Sequence, residues 1–171
     1  MTFKPGIPIS PPGPTELTDP TSHLGLAPDP AEERVFAMAF TSTRRGARLA
    51  RRLAAVRLDA WGISYGTDAH DNLVLIVAEL VANAVRHGHV AGRDFHLCLH
   101  VAPRLRTARV EVTDTRAESV PPRPSAVTAP RDPYVSPSGR GLLMVTALAT
   151  RWDWHYRRNG PGKTVWAECD V

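Results

Sequence analysis

An α+β fold, built as a two-layer α/β sandwich with helices on one face of a mostly antiparallel sheet, is predicted by three observations. Helical and alternating patterns occupy separate stretches, in the order β-α-α-β-β-loop-α-β-β. The alternating stretches come in neighbouring pairs separated by short turn-forming segments, as hairpins require. The helical stretch at 71–87 carries Leu73, Ile76, Val77, Leu80, Val81 and Ala84 on one face, so it can cover one side of a sheet.

Composition sets the outer bounds. A chain of 171 residues fits one domain with a substantial core. Its apolar fraction of 43% and charged fraction of 22% are those of a soluble globular protein. The longest apolar run, 73–85, is too short for a bilayer and is interrupted by Glu79 and Asn83. The N-terminus lacks the apolar segment of a signal peptide, and a cytoplasmic location is expected. Two cysteines, Cys98 and Cys169, are too few for a disulfide framework or a four-cysteine zinc site. The net charge of +4 is concentrated in Arg44, Arg45, Arg48, Arg51, Arg52 and Arg57. Aromatics make up 6% of the chain and no nucleic-acid module accompanies the arginines, so a solvated or protein-binding face is expected in preference to nucleic acid.

Taken in order, residues 1–32 hold Pro5, Pro8, Pro11, Pro12, Pro14, Pro20, Pro28 and Pro30 and few apolar side chains, which predicts a disordered tail. The folded domain then spans 33–171. A strand is expected at 34–40, followed by a helix capped by Thr41 or Ser42 and running to about Trp61, with Leu49, Leu53, Val56 and Ala60 inward. Gly62 and Gly66 break the chain before Thr67 and Asp68, which can cap the next helix. Strands follow at 95–101 and 108–113, around a turn at 103–106. The stretch 116–137 contains six prolines and reads as a long loop, a length that in a compact domain usually signals function or disorder. A helix at 142–150 and strands at 151–157 and 164–171, joined by a turn at 159–162, complete the chain.

Some residues point to chemistry. Glu79 and Asn83, four apart, share one helix edge inside an apolar run, and Arg86 and His87 continue it. A carboxylate in such surroundings needs a partner, a metal or a cavity; the alternative is a partly solvated edge. Asp114 shares the parity of Val110 and Val112 at a strand end, so it points into the helix–sheet layer if the valines do, and then needs a hydrogen-bond donor. Its other reading is a turn-forming aspartate bonded to its own backbone. Gly139, Arg140, Gly141 and Leu142 open a helix after the long loop, where free N–H groups and bare backbone suit a phosphate. The segment lacks the ending of a P-loop. His96, Cys98 and His100 share one strand face, but the outer two lie about 13 Å apart on a straight strand, so a plain surface is expected there rather than a metal site. Trp152, Trp154 and Trp166 read as sheet-packing residues.

The succession E-L-V-A-N-A-V-R-H-G (79–88), V-E-V-T-D (110–114), a long loop, S-G-R-G-L-L-M-V (138–145) and G-K-T-V-W (162–166) resembles the GHKL ATPase superfamily. It looks closest to the histidine-kinase-like ATP-binding domains of anti-sigma-factor serine/threonine kinases of the stand-alone actinomycete type. The resemblance covers about 34–170 and implies a Bergerat-type fold with 116–137 as the ATP lid. It implies Glu79 as general base, Asn83 as the Mg²⁺ ligand, and Asp114 as acceptor for the adenine amino group. Gly139 and Gly141 would frame the phosphates with Arg140 and Leu142, Thr164 would lie near adenine, and Arg86 and His87 would assist at the phosphates. The family's D-x-G-x-G is absent: Asp114 is followed by Thr115, Arg116, Ala117, Glu118 and Ser119.

The function this implies is an ATP-binding regulatory protein that binds Mg-ATP, controls a sigma factor or an anti-sigma antagonist, and phosphorylates a serine, with a homodimer as its assembly. The arginine-rich helix is a partner surface in this reading. The alternative is a non-catalytic protein-binding module of the same fold with weak or lost nucleotide binding.

Overall fold

The computed structural model describes residues 32–127 and 140–171. The proline-rich tail, Gly139 and the second half of the expected lid lie outside the described residues. The elements are β1 (Arg34–Phe40), α1 (Arg44–Ala60), α2 (Asp68–His87), β2 (Phe95–Ala102), β3 (Thr107–Asp114), α3 (Arg140–Leu148), β4 (Arg151–Tyr156) and β5 (Lys163–Asp170). All five strands pair antiparallel in one sheet of order β1-β2-β3-β5-β4. The expected α+β architecture is therefore present, with its element order. No described helix is long and apolar enough to cross a membrane.

The sheet's inner face follows strand alternation. Phe95, Leu97, Leu99 and Val101 of β2, Ala108, Val110 and Val112 of β3, and Val165, Ala167 and Cys169 of β5 are buried with α2's Leu73, Ile76, Val77, Leu80, Val81 and Ala84. Trp152 and Trp154 close this core from β4, the packing role expected of them. The outer face is polar. There Arg109 lies over the Trp166 ring at 4.0 Å and bonds Glu111 at 2.6 Å and Glu168 at 2.7 Å. His96, Cys98 and His100 are on this outer face, His96 exposed and His100 bonded to Glu33 at 3.1 Å.

Helix α2 starts as expected, with the Thr67 hydroxyl accepting from the His70 N–H at 3.2 Å. Asp68 and Asp71 occupy its first turn and Arg86 and His87 its last, both favourable to the helix dipole. Helix α1 departs from expectation in two ways. Its cap is Thr43, which accepts from Gly46 N–H at 3.1 Å, rather than Thr41 or Ser42. Its buried stripe is Gly46, Ala50, Ala54 and Leu58, while Leu49 and Val56 are exposed. The reason is size. α1 packs mainly on α2, and small residues every fourth position let the two backbones approach, whereas a leucine-valine stripe would hold them apart. A Cβ at Gly46 would also collide with the Thr41 carbonyl where the chain turns out of β1.

Candidate functional site

A cavity of about 460 Å³ opens between α2, the ends of β3 and β5, the segment 119–127 and the start of α3. Its middle is apolar: Leu80 and Ala84 from α2 face Val112 and Val165 from the sheet, with Leu142 of α3 beside them. Ser119, Val120, Pro121 and Pro122 form one wall, continued by Ala126 and Val127. This first half of the expected lid is held in place by Arg123. Its guanidinium bonds Asp153 Oδ1 at 2.7 Å and the Trp154 carbonyl at 2.8 Å, and lies 4.1 Å from the Trp154 ring centroid.

One end of the cavity holds a buried ion pair. Asp114 ends β3 pointing into the layer, as its parity predicts, and is 4% exposed. Lys163, directly opposite in the β3–β5 register, meets it: Nζ lies 2.8 Å from Oδ2 and 3.0 Å from Oδ1, and donates to the Arg116 carbonyl at 3.2 Å. Asp114 Oδ1 also accepts from the Arg116 N–H at 3.0 Å. Both sequence readings of this residue thus hold together: it organises its own turn and it faces the layer. Two glycines let other chain segments reach it. A Cβ at Gly88, the cap of α2, would overlap the Asp114 side chain, and one at Gly162, whose φ is +115°, would overlap its carbonyl.

A polar edge of the cavity lies along α2. Asn83 and His87 line the cavity, and Glu79 is one turn before Asn83 on the same edge. Helix α3 begins against this edge. Gly141 sits so close that a Cβ there would collide with Glu79 Oε2, and Asn83 Oδ1 would be 3.8 Å from it. The first turn of α3 therefore lies near a carboxylate and an amide oxygen, with Arg140 exposed at the helix start. Two oxygen donors on one edge are the kind of set that a hard divalent cation takes while keeping most of its water, so the residues fit Mg²⁺.

Of the residues singled out from sequence, the fold brings Glu79, Asn83, His87, Asp114, Gly141 and Leu142 to this cavity and its rim. Arg86 is exposed and does not line it. Thr164 lies on the other face of the sheet, where its hydroxyl pairs with Thr113 at 2.8 Å in a shallow hollow shared with His96 and His155. The reason is strand parity: Lys163, Val165 and Ala167 face the helices, so Thr164 must face away. Lys163 is the residue that sequence reasoning missed. Its signal was available, since it stands two positions before Val165 in an alternating strand.

The fold has solved counterparts. It is similar to the crystal structure of the RsbU and RsbW domains of Rv1364c from Mycobacterium tuberculosis, with a TM-score of 0.57 and 16% sequence identity. The match covers 80% of this chain and 32% of that one, so the chain spans about a third of that protein's crystallised length. No curated protein matches the sequence significantly. The family model described as a histidine kinase-like ATPase domain matches residues 40–169, from the end of β1 through nearly all of β5, and the chain belongs to that family, whose domain implies an ATP site.

Proposed function

We propose that this protein binds Mg-ATP in the cavity between α2 and the sheet and acts as a regulatory serine/threonine kinase of the anti-sigma-factor type. The observation that carries the proposal is that Asn83 and Asp114 line one largely apolar cavity, with Glu79 and the start of α3 in contact beside Asn83.

In this reading the apolar walls, Leu80 and Ala84 against Val112 and Val165, sandwich the flat base. Asp114 anchors it. The N–H groups at the start of α3 receive phosphate oxygens, and Gly141 keeps that helix close enough to α2 for both to touch one phosphate chain. Asn83 Oδ1 would hold Mg²⁺, which when bound neutralises charge on the phosphates. Glu79 takes the proton from the serine hydroxyl of a protein partner as its oxygen attacks the γ-phosphorus. The bond to the β–γ bridging oxygen breaks and ADP leaves. Positioning supplies most of the acceleration, since little covalent chemistry falls to the protein.

Partners of this kind, a sigma factor and an antagonist, would find a cationic surface on α1, whose exposed side carries Arg44, Arg45, Arg48, Arg51 and Arg52. A homodimer and a cytoplasmic setting belong to the same proposal.

The second reading, a protein-binding module that has lost turnover, is favoured by two features: Asp114 already has a charged partner in Lys163, and the D-x-G-x-G glycines are missing. Phosphotransfer from labelled ATP to a co-purified partner, with wild type and Glu79→Gln, separates the two. Transfer by wild type that Glu79→Gln reduces at least a hundredfold supports the kinase. Negligible transfer by both, with ATP still bound, establishes the module.

A further inference from the structure

The shallow hollow on the sheet face away from the α2 cavity has an ordered floor. One transverse row of the ladder runs His96, Thr113, Thr164 and His155 across β2, β3, β5 and β4, and all four line the hollow. Neighbouring strands lie about 4.8 Å apart, so one imidazole flanks the threonine pair on either side. The β4–β5 turn adds Arg157, Arg158 and Asn159 to the wall.

Donors predominate there. The Thr113 and Thr164 hydroxyls bond each other at 2.8 Å; each has one proton, and that bond uses only one of the two, so the pair keeps a donor. Arg157 spends one guanidinium N–H on the Pro161 carbonyl at 3.3 Å and keeps the others. Arg158 is exposed and pairs with no acid among the described residues. A carbonyl can only accept, so His155 carries its proton on Nδ1, 3.0 Å from the Tyr156 carbonyl, and Nε2 is left for a ligand. None of the residues lining the hollow is acidic. Elsewhere on this face charge is matched: Glu111 and Glu168 meet Arg109, and Asp153 meets Arg123. The hollow instead gathers unmatched positive charge.

We propose that this hollow binds a dianionic phosphate group, free or as a monoester, seated on the Thr113–Thr164 pair beneath Arg157 and Arg158 with His155 alongside. A metal cation is the wrong charge, and the two imidazoles rise from chains three strand spacings, about 14 Å, apart. A carboxylate has two oxygens, which a single guanidinium fork would satisfy. Phosphate brings three acceptor oxygens and nearly two charges to a set with donors on several sides. A nucleic-acid strand fits less well, because the next row on this face holds Glu111 and Asp153 and the basic area ends there. The site lies outside the proposed nucleotide cavity and stands or falls independently of it.

The test follows the ring C–H signals of His96 and His155 by NMR on the full chain, at constant ionic strength so that screening does not change. The probes are sodium phosphate and a short phosphoserine peptide. Both signals should shift saturably, with half-saturation below about 10 mM. A peptide about tenfold tighter than phosphate assigns an ester on a protein partner; equal affinity assigns free phosphate. Arg157→Gln with Arg158→Gln, both at the surface, should weaken binding at least about tenfold, whereas Arg44→Gln with Arg45→Gln on α1 should leave it within about twofold. Several results overturn the site: no saturable shift up to about 50 mM; shifts of His87, which lines the other cavity, while His96 and His155 stay still; or equal weakening by both arginine pairs, which would mean diffuse charge. A single-stranded oligonucleotide that moves the same signals more tightly than either probe also overturns it, in favour of a nucleic-acid face.

Discussion

Removing the Asp114 carboxylate tests the site's most consequential interaction through stability alone, without any ligand. In Asp114→Ala the Lys163 ammonium keeps only the Arg116 carbonyl at 3.2 Å, and the Arg116 N–H loses its acceptor. Leaving one charge of a buried pair uncompensated costs about 3–5 kcal/mol. Against a total stability of about 5–15 kcal/mol for an ordinary domain, that is a large fraction. With a urea slope of about 1.5 kcal/mol/M, the unfolding midpoint should fall by about 2–3 M. The buried Trp152 and Trp154 provide the fluorescence signal. Replacing both partners, as Asp114→Leu with Lys163→Met, removes both charges and should recover most of the loss, to within about 1–2 kcal/mol of wild type, the remainder being the orphaned Arg116 N–H. Two results would refute the reasoning: a single variant within about 1 kcal/mol of wild type, or a double variant no more stable than the single one.

Four further outcomes are expected. Gly141→Ala is a substitution that ordinarily favours a helix by about 1 kcal/mol, so the urea midpoint should hold or rise; the collision with Glu79 should nevertheless weaken phosphotransfer about tenfold or more. Gly88→Ala places a methyl on the fixed side chain of Asp114 at a φ of −100°, which alanine adopts without strain; heating should reveal a purely steric loss of about 1–3 kcal/mol. Arg123→Ala should change global stability by less than about 1 kcal/mol, because its pair with Asp153 is exposed, but should speed hydrogen exchange and proteolysis within 119–127. Burial acts to raise the pKa of Glu168, but hydrogen bonds from Arg109 and Arg151 outweigh it and hold the carboxyl below its usual 4.5. A lowered folded-state value stabilises the fold above 4.5, and this contribution fades as pH falls through the lower value. The stability gap between wild type and Glu168→Gln should therefore narrow on acidification through that range, and a constant gap would contradict the assignment.

Much of the site was legible because secondary structure converts spacing into direction. The four-residue interval between Glu79 and Asn83 places both on one helix edge wherever the helix packs, and the parity of Asp114 with Val110 and Val112 turns it inward with them. The same rule applied to β5 would have chosen Lys163 over Thr164; a motif drew attention to the neighbouring position instead. The inward face of α1 was less accessible. Leu49 and Val56 are its more hydrophobic candidates, yet Gly46, Ala50 and Ala54 are buried, because the deciding quantity is the distance between two helix axes.

The sequence by itself determined the element order, the antiparallel pairing of hairpin neighbours, the apolar face of α2 and the edge on which Glu79 and Asn83 stand. These follow from periodicity and turn chemistry, which are local. Only the tertiary structure decided that β5 inserts between β3 and β4, that Lys163 thereby lies opposite Asp114, and that α3 starts against Glu79 with nothing but the bare Gly141 between them. Each of these joins residues far apart in the chain, and such contacts are set by which surfaces pack together and how closely, a property that no local pattern encodes.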